Sequence, residues 1–343
     1  MTGIDVGALS TGRLANVDEH GTISWNGAQL QWRVWVGDRW LVPGVDGLAR
    51  QARPSPAPVP ATALRIAGGD AIQRVYAIDR TVVVEVENAS PEAIAVAFRL
   101  SGDAVQLSLP RKPGATEPDG AVVFPVPHRT TIRVALGPDA SEVSGLPNVE
   151  TVTRGWDQIL DRGLRTELPE PLQSDVDEAR ADLLLAPPSP ETFATLEAWG
   201  FDAEAITMWS RFGLRDRRAA RRLAGGAGLL GETRRLLVAA RGSEIDLLPG
   251  FQAGWLGQHL AVHDAPMKAG PVSFAVRWHG SRPALLWDVP DGVTIRVPVL
   301  DPAFSANTPQ GETLLAEPAG ALLAMGQHAP AAGGTIDAPE QFS

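Results

Sequence analysis

Apolar and polar positions alternate along the first 137 residues, with turn signals at short intervals, the pattern of half-buried strands. In the run Leu30-Gln31-Trp32-Arg33-Val34-Trp35-Val36, Trp32, Val34 and Val36 fall on one face. Gln31, Arg33 and Trp35 fall on the other. Asn26-Gly27, just before the run, supplies the positive φ angles of a tight hairpin, and Gly37-Asp38 offers a turn into Trp40-Leu41-Val42. A second hairpin is predicted from 74–78 through Asp79-Arg80 into 81–87, with Val82, Val84 and Val86 inward and Glu85 and Glu87 outward. Further strands are expected at 94–100, 104–109, 121–126 and 131–136. Pro54, Pro56, Pro58 and Pro60 mark an extended loop outside any ladder.

The period then changes. Residues 138–150 have linker chemistry, and 151–242 read as helices. Ser174-Asp175 is expected to cap a helix ending at Leu185. Ser189-Pro190-Glu191 combines an N-cap, a proline at the first helical position and an acid near the positive end of the dipole. Gly200 ends that helix, Asp202 is expected to cap the next, and two more are predicted over 215–224 and 232–241. From 243 to 325 the alternation of strands returns, as in Val272, Phe274, Val276 and Trp278, read with Trp32 as core positions. Residues 326–343 lack periodicity and are read as a loose tail. The fold class expected is α+β, mainly β: an N-terminal antiparallel β-sandwich (1–137), a linker (138–150), a short helical segment (151–242) and a C-terminal antiparallel β-domain (243–325).

Composition narrows the function classes. With 44% hydrophobic and 20% charged residues, the chain can bury a core. Its formal charge of −10 argues against broad nucleic-acid binding and against adhesion to anionic membranes. The absence of cysteine removes disulfides, thiolate metal sites and a cysteine nucleophile. No basic segment precedes an apolar stretch at the start, and no run is long enough to span a bilayer. A cytoplasmic location is expected.

Local motifs carry little chemistry. Gly226-Ala227-Gly228-Leu229-Leu230-Gly231 matches GxGxxG, but a basic helix precedes it and no acid follows at the spacing a dinucleotide needs, so it reads as an inter-helix loop. His259 and His263 share one face of a strand, with Asp264 on the other, and read as a polar face; no metal site and no cofactor are assigned. Gly-x-Ser-x-Gly is absent. Asp202 and Glu204 read as a cap and a first-turn acid, and no catalytic residue is assigned. Residues 205–241 hold nine arginines against Asp216 and Glu232, a net +7 that leaves −17 for the rest of the chain. Its basic patch is Arg211, Arg215, Arg217, Arg218, Arg221 and Arg222, expected to pair with acids of this chain or of a partner. The best ligand candidate is aromatic. Sugars stack flat C–H faces on tryptophan while arginine and acids bond their hydroxyls, which points to Trp35 and Arg33 with Asp38 and Trp40 at the following turn.

Leu9-Ser10-Thr11-Gly12-Arg13-Leu14 resembles the Gly-Arg-Leu opening strand in the N-terminal sandwich of the six-hairpin glycosidases and related glycoside phosphorylases. Leu247-Leu248-Pro249-Gly250 through Trp255-Leu256-Gly257 is similar to the start of their C-terminal β-domain, and Ser273-Phe274-Ala275-Val276-Arg277-Trp278 to the strand that follows. The resemblance implies a β-sandwich, helical hairpins and a β-domain in that order. It does not extend to the catalytic barrel. Twelve helices with their connections need roughly 190 residues, and 151–244 offers 94, enough for four or five helices. The expected function is therefore a non-catalytic, glycosidase-like protein that binds an oligosaccharide or supports a carbohydrate-active protein partner, with neither nucleic acid nor membrane as partner. The alternatives are a glycoside hydrolase with carboxylates at the domain junction, and a structural interaction protein without a small ligand.

Overall fold

A computed structural model of the chain describes residues 3–138, 143–223 and 225–318, so the apolar stretch at 321–325 and the tail 326–343 lie outside the described residues. The first 137 residues form fourteen strands: β1 (Ile4–Ala8), β2 (Gly12–Val17), β3 (Ile23–Trp25), β4 (Ala28–Val36), β5 (Arg39–Leu41), β6 (Ala49–Ala52), β7 (Ala61–Ile66), β8 (Gly69–Ile78), β9 (Thr81–Asn88), β10 (Ile94–Ser101), β11 (Gln106–Ser108), β12 (Ala115–Thr116), β13 (Val122–Val126) and β14 (Thr131–Gly137). One antiparallel sheet has the order β1-β2-β3-β4-β10-β13-β12, with β5 on β4, and the other β11-β14-β9-β8-β7-β6. Their inner faces share one core, in which Trp32, Val34, Phe98 and Phe124 of the first sheet meet Leu64, Val75, Val84 and Val134 of the second. The fold is mainly β, and its first part is a sandwich.

Turn chemistry sets the hairpins. Asn26 and Gly27 both have positive φ and join Trp25 to its partner Ala28. Gly37 likewise closes the turn between Val36 and Arg39, and Asp79 the turn between Ile78 and Thr81. Residues 54–60 carry no strand.

Glu85 points outward from the core as expected, but it is not exposed. It is buried, accepting from the Tyr76 hydroxyl at 2.7 Å and pairing with Arg133 at 2.6 Å. The same hydroxyl lies 3.0 Å from the Pro147 carbonyl, its one proton shared between the two acceptors, and Arg133 donates to the Leu146 carbonyl at 2.9 Å. Residues 143–149 of the segment read as a linker thus lie across the outer face of the second sheet, with Val143 buried and helix α1 (Val149–Leu160) beginning inside it. Burial, and then the Glu85 carboxylate, push the Tyr76 phenol far above its ordinary range, so it stays a donor.

Among the described residues six helices lie between 149 and 237, more than the four or five expected: α1, α2 (Leu172–Leu185), α3 (Pro190–Ala198), α4 (Asp202–Arg211), α5 (Leu214–Ala220) and α6 (Gly228–Leu237). The Ser189 hydroxyl caps α3 by accepting from Thr192 N–H at 3.0 Å. Ser174 is not a cap, because α2 starts two residues earlier, directly after Pro171. Asp202 is the first residue within α4; Phe201 holds the cap position. Among the described residues no helix is long and apolar enough to cross a membrane.

The chain divides into two compact units, residues 1–163, 174–196 and 201–224 in one, and 164–173, 197–200 and 225–343 in the other. The second unit adds β15 (Arg165–Glu167), β16 (Val238–Arg241), β17 (Glu244–Leu247), β18 (Leu260–Ala265), β19 (Val272–His279), β20 (Arg282–Asp288), β21 (Thr294–Val297), β22 (Asp301–Ala306) and β23 (Gln310–Leu314). They form sheets of order β15-β18-β19-β20-β23 and β16-β17-β21-β22, antiparallel except for the pair β17–β21. Residues 238–241, expected to be helical, are a strand because the turn at Gly242 returns the chain along them, pairing Arg241 with Glu244. Trp278 is half-buried and not core: it stands past Val276 near the end of β19, where its indole donates to Gln258 O at 2.9 Å. The Arg234 guanidinium is largely buried and donates to the carbonyls of Ala198 and Pro266 at 2.9 and 2.6 Å.

Candidate functional site

Alternation on β4 sends Leu30, Trp32 and Val34 into the core and leaves Gln31, Arg33 and Trp35 on the outer face of the first sheet. The register places Ala95 beside Trp35, Ala97 beside Arg33 and Arg99 beside Gln31. On β13, Pro125 and Val123 extend the same two rows, and Trp40 on β5 is the other neighbour of Trp35. Small residues in the middle row lower the face there. Trp40 and Ala95 pack on the small cluster of Ala97, Ala121 and Val123.

The sequence brings three of its four candidates together. Trp35 is 37% exposed and meets Trp40 edge to face, with ring centroids 5.4 Å apart. The Arg33 guanidinium carbon lies 4.9 Å from the centroid of the Trp40 ring. Arg33 is not a free hydroxyl donor, however. Its two terminal nitrogens bond the Asp119 carboxylate at 3.0 and 3.4 Å. The Ala121 N–H, and then Arg33, hold the Asp119 carboxyl below the usual carboxylate range. Arg33 thereby fixes the loop before β13 over Trp40. Asp38 is exposed at the apex of the β4–β5 turn.

Beside this aromatic pair lies a hollow of about 220 Å3, lined in part by Gln31, Arg33, Ala97, Arg99, Ala121 and His20. Two of its lining side chains carry buried nitrogens without a hydrogen-bond partner, Nδ1 of His20 and Nε of Arg33. Buried polar atoms ordinarily have partners, so two without one are unusual in the wall of a hollow. Gln31 and Arg99 add exposed amide and guanidinium groups at the rim. These residues were missed in the sequence. Gln31 was visible on the Arg33 face, but Arg99 joins it only through the β4–β10 register, and His20 only through the fold of the loop.

The other candidates stand apart. A cavity of about 710 Å3 in the first unit lies between residues 9–13 of the β1–β2 hairpin, the end of α2 and one side of α4. Glu204 is the one carboxylate among its lining residues, and it is paired with Arg162 at 2.9 Å. Asp202 precedes it by two positions, and such residues do not face each other on a helix. In the second unit, the Glu167 carboxylate accepts from His259 and His263, at 2.8 and 3.4 Å, through different oxygens. Among the described residues no group of three or more His, Cys, Asp or Glu side chains is arranged to hold a metal ion. In the GxGxxG loop, a Cβ on Gly231 would come within 2.6 Å of the Gly226 backbone, so that glycine permits the loop to close on α6. Of the basic patch, Arg211 ends α4, Arg215, Arg217 and Arg218 lie on α5, and Arg221 and Arg222 follow it.

No family model and no curated protein matches this chain.

Proposed function

We propose that the outer face of the first sheet binds carbohydrate, without hydrolysing it. The observation that carries this reading is the half-exposed Trp35–Trp40 pair adjoining, through Arg33, a small hollow with unpartnered polar nitrogens. A pyranose stacks its C–H face on an indole while its hydroxyls take up amide, guanidinium and imidazole groups at the edge. The hollow holds about one sugar ring, and Gln31, Arg99 and His20 supply the polar groups. The order of sandwich, helices and β-domain supports a likeness to the non-catalytic parts of six-hairpin glycosidases. Six helices among the described residues fall short of the twelve their barrel uses.

One aromatic platform with a few hydrogen bonds gives weak binding, with a dissociation constant on the order of 0.1–1 mM. Nuclear magnetic resonance of the indole N–H groups, titrated with malto-, cello- and xylo-oligosaccharides, should shift the Trp35 and Trp40 signals first. Trp35→Ala and Arg99→Ala should each weaken binding by about tenfold or more, with the other indole signals unmoved. Shifts that map elsewhere, or binding unchanged in both variants, would overturn the assignment. Release of reducing sugar by the purified protein would replace it with hydrolysis.

A further inference from the structure

The basic patch was expected to meet acids of this chain or of a partner, and the first option fails within its own unit. None of Arg211, Arg215, Arg217, Arg218, Arg221 and Arg222 makes an ion pair with a described acid of that unit. Asp216, the one acid in 205–224, accepts the Gly213 N–H at 3.3 Å. The six arginines divide by helical spacing. Arg217 and Arg221, four apart, turn to Trp209, with guanidinium carbons 5.1 and 5.8 Å from its ring centroid. Arg211, Arg215, Arg218 and Arg222 are exposed to solvent. Two aliphatic side chains stand out beside them, Ile206 at 70% and Leu214 at 75% exposed.

We propose that this α4–α5 face docks an acidic polypeptide segment of a separate protein, one that carries aliphatic side chains among its carboxylates. Unneutralised arginines ask for carboxylates or phosphates, which their planar forks bind in bidentate fashion. The apolar neighbours decide between the two. Ile206 and Leu214 add nothing to a phosphate backbone but are anchors for a protein chain. A single-stranded nucleic acid would want a free aromatic platform, and Trp209 is covered by Arg217 and Arg221, with Phe193 and Phe212 at 4.8 and 6.3 Å. An anionic bilayer would repel the −17 carried by the rest of the chain over a broad front. A short peptide presents its charge locally, and salt screens the remainder beyond about 8 Å.

Fluorescence anisotropy on the full chain tests this with a labelled (Glu-Glu-Leu)5 peptide, a poly-glutamate of equal length and an oligothymidylate, alongside sedimentation with phosphatidylserine vesicles. The leucine-containing peptide should bind more tightly than any other probe, weakening about tenfold between low and moderate salt. Arg215→Glu, Arg218→Glu and Arg222→Glu together should abolish its binding. Ile206→Ser with Leu214→Ser should weaken it about fivefold and leave the poly-glutamate affinity unchanged. Should the charge-reversed variant fail to fold, the triple glutamine variant takes its place, with a loss of about tenfold expected. Tighter binding of oligothymidylate or vesicles, or peptide binding indifferent to these substitutions, would overturn the proposal. So would salt-sensitive self-association that the same variants remove, which would make the partner a second copy.

Discussion

Replacing Glu85 by alanine probes the clamp that holds residues 143–149 against the sandwich. The side chain is only 6% exposed and receives two short hydrogen bonds, from the Tyr76 hydroxyl at 2.7 Å and from Arg133 at 2.6 Å. Hydrogen bonds to a charged group are worth about 1.5–3 kcal/mol each, and breaking a buried ion pair costs about 3–5 kcal/mol. Two features pull the value down. The Tyr76 hydroxyl keeps Pro147 O, and Arg133, 24% exposed, keeps Leu146 O. The expected loss is therefore about 3 kcal/mol, a fall in Tm of about 6–12 °C for a unit of this size. Glu85→Gln retains an acceptor oxygen and should cost about 1 kcal/mol. Glu87, on the same strand, pairs with Arg74 at 2.7 Å where both side chains are partly exposed, and Glu87→Ala should cost at most about 1 kcal/mol. Urea denaturation of the three variants, followed by hydrogen exchange in α1, is the assay. Equal losses for Glu85→Ala and Glu87→Ala, with α1 protection unchanged, would refute the clamp.

Two further outcomes follow from the same coordinates. Gly231→Ala should destabilise by about 1–3 kcal/mol, because its Cβ would meet the Gly226 backbone, while Gly155→Ala in α1, with open space around it, should stabilise by about 0.5–1 kcal/mol. Equal signs in thermal melts would contradict the packing argument. At Glu167, partial burial raises the carboxyl pKa, but the bonds from His259 and His263 outweigh it and the net shift is downward. A depressed folded value means its stabilisation is present above the unfolded value of about 4.5 and fades as pH falls through the folded one. The Tm of Glu167→Gln should thus lie slightly below wild type near pH 6 and converge with it in acid. Exposed pairs of this kind give at most about 1 kcal/mol, and a gap that widens in acid would refute the sign.

The features readable in the sequence are those with a local cause. Asn26-Gly27 and Gly37-Asp38 demand hairpins wherever they stand, and alternation on β4 separates Trp32 from Trp35 without knowledge of the partner strand. What escapes is whatever depends on the covering layer. Glu85 occupies an outward position, yet the chain that follows the sandwich folds back over it. Residues 238–241 carry helical spacing, yet the turn at Gly242 offers them a ladder partner. Arg33 looks free on its strand, and its carboxylate partner is 86 residues away. The candidate site shares this limit. Its aromatic half is set by the β4–β5 turn, whereas the hollow needs the register that brings Ala97 and Arg99 alongside.

That register also explains why the site has depth. An outer face of even polar side chains would be flat, since neighbouring residues project to similar heights. Here alanine stands at 95 and 97 between the row of Arg33 and Trp35 and the row of Val123 and Pro125, so the backbone of β10 lies at the floor. Trp40 packs over Ala97, Ala121 and Val123, and Arg33 is held by Asp119 at 3.0 Å. An arginine so engaged contributes shape and an unpartnered Nε where a mobile one would contribute only charge. The same logic separates the two surfaces of the first unit. Arg33 is neutralised and braced, which is why a neutral, hydroxyl-rich ligand is the one we propose there. Where Arg215, Arg218 and Arg222 stand exposed without an acid of their unit, the field selects an anion.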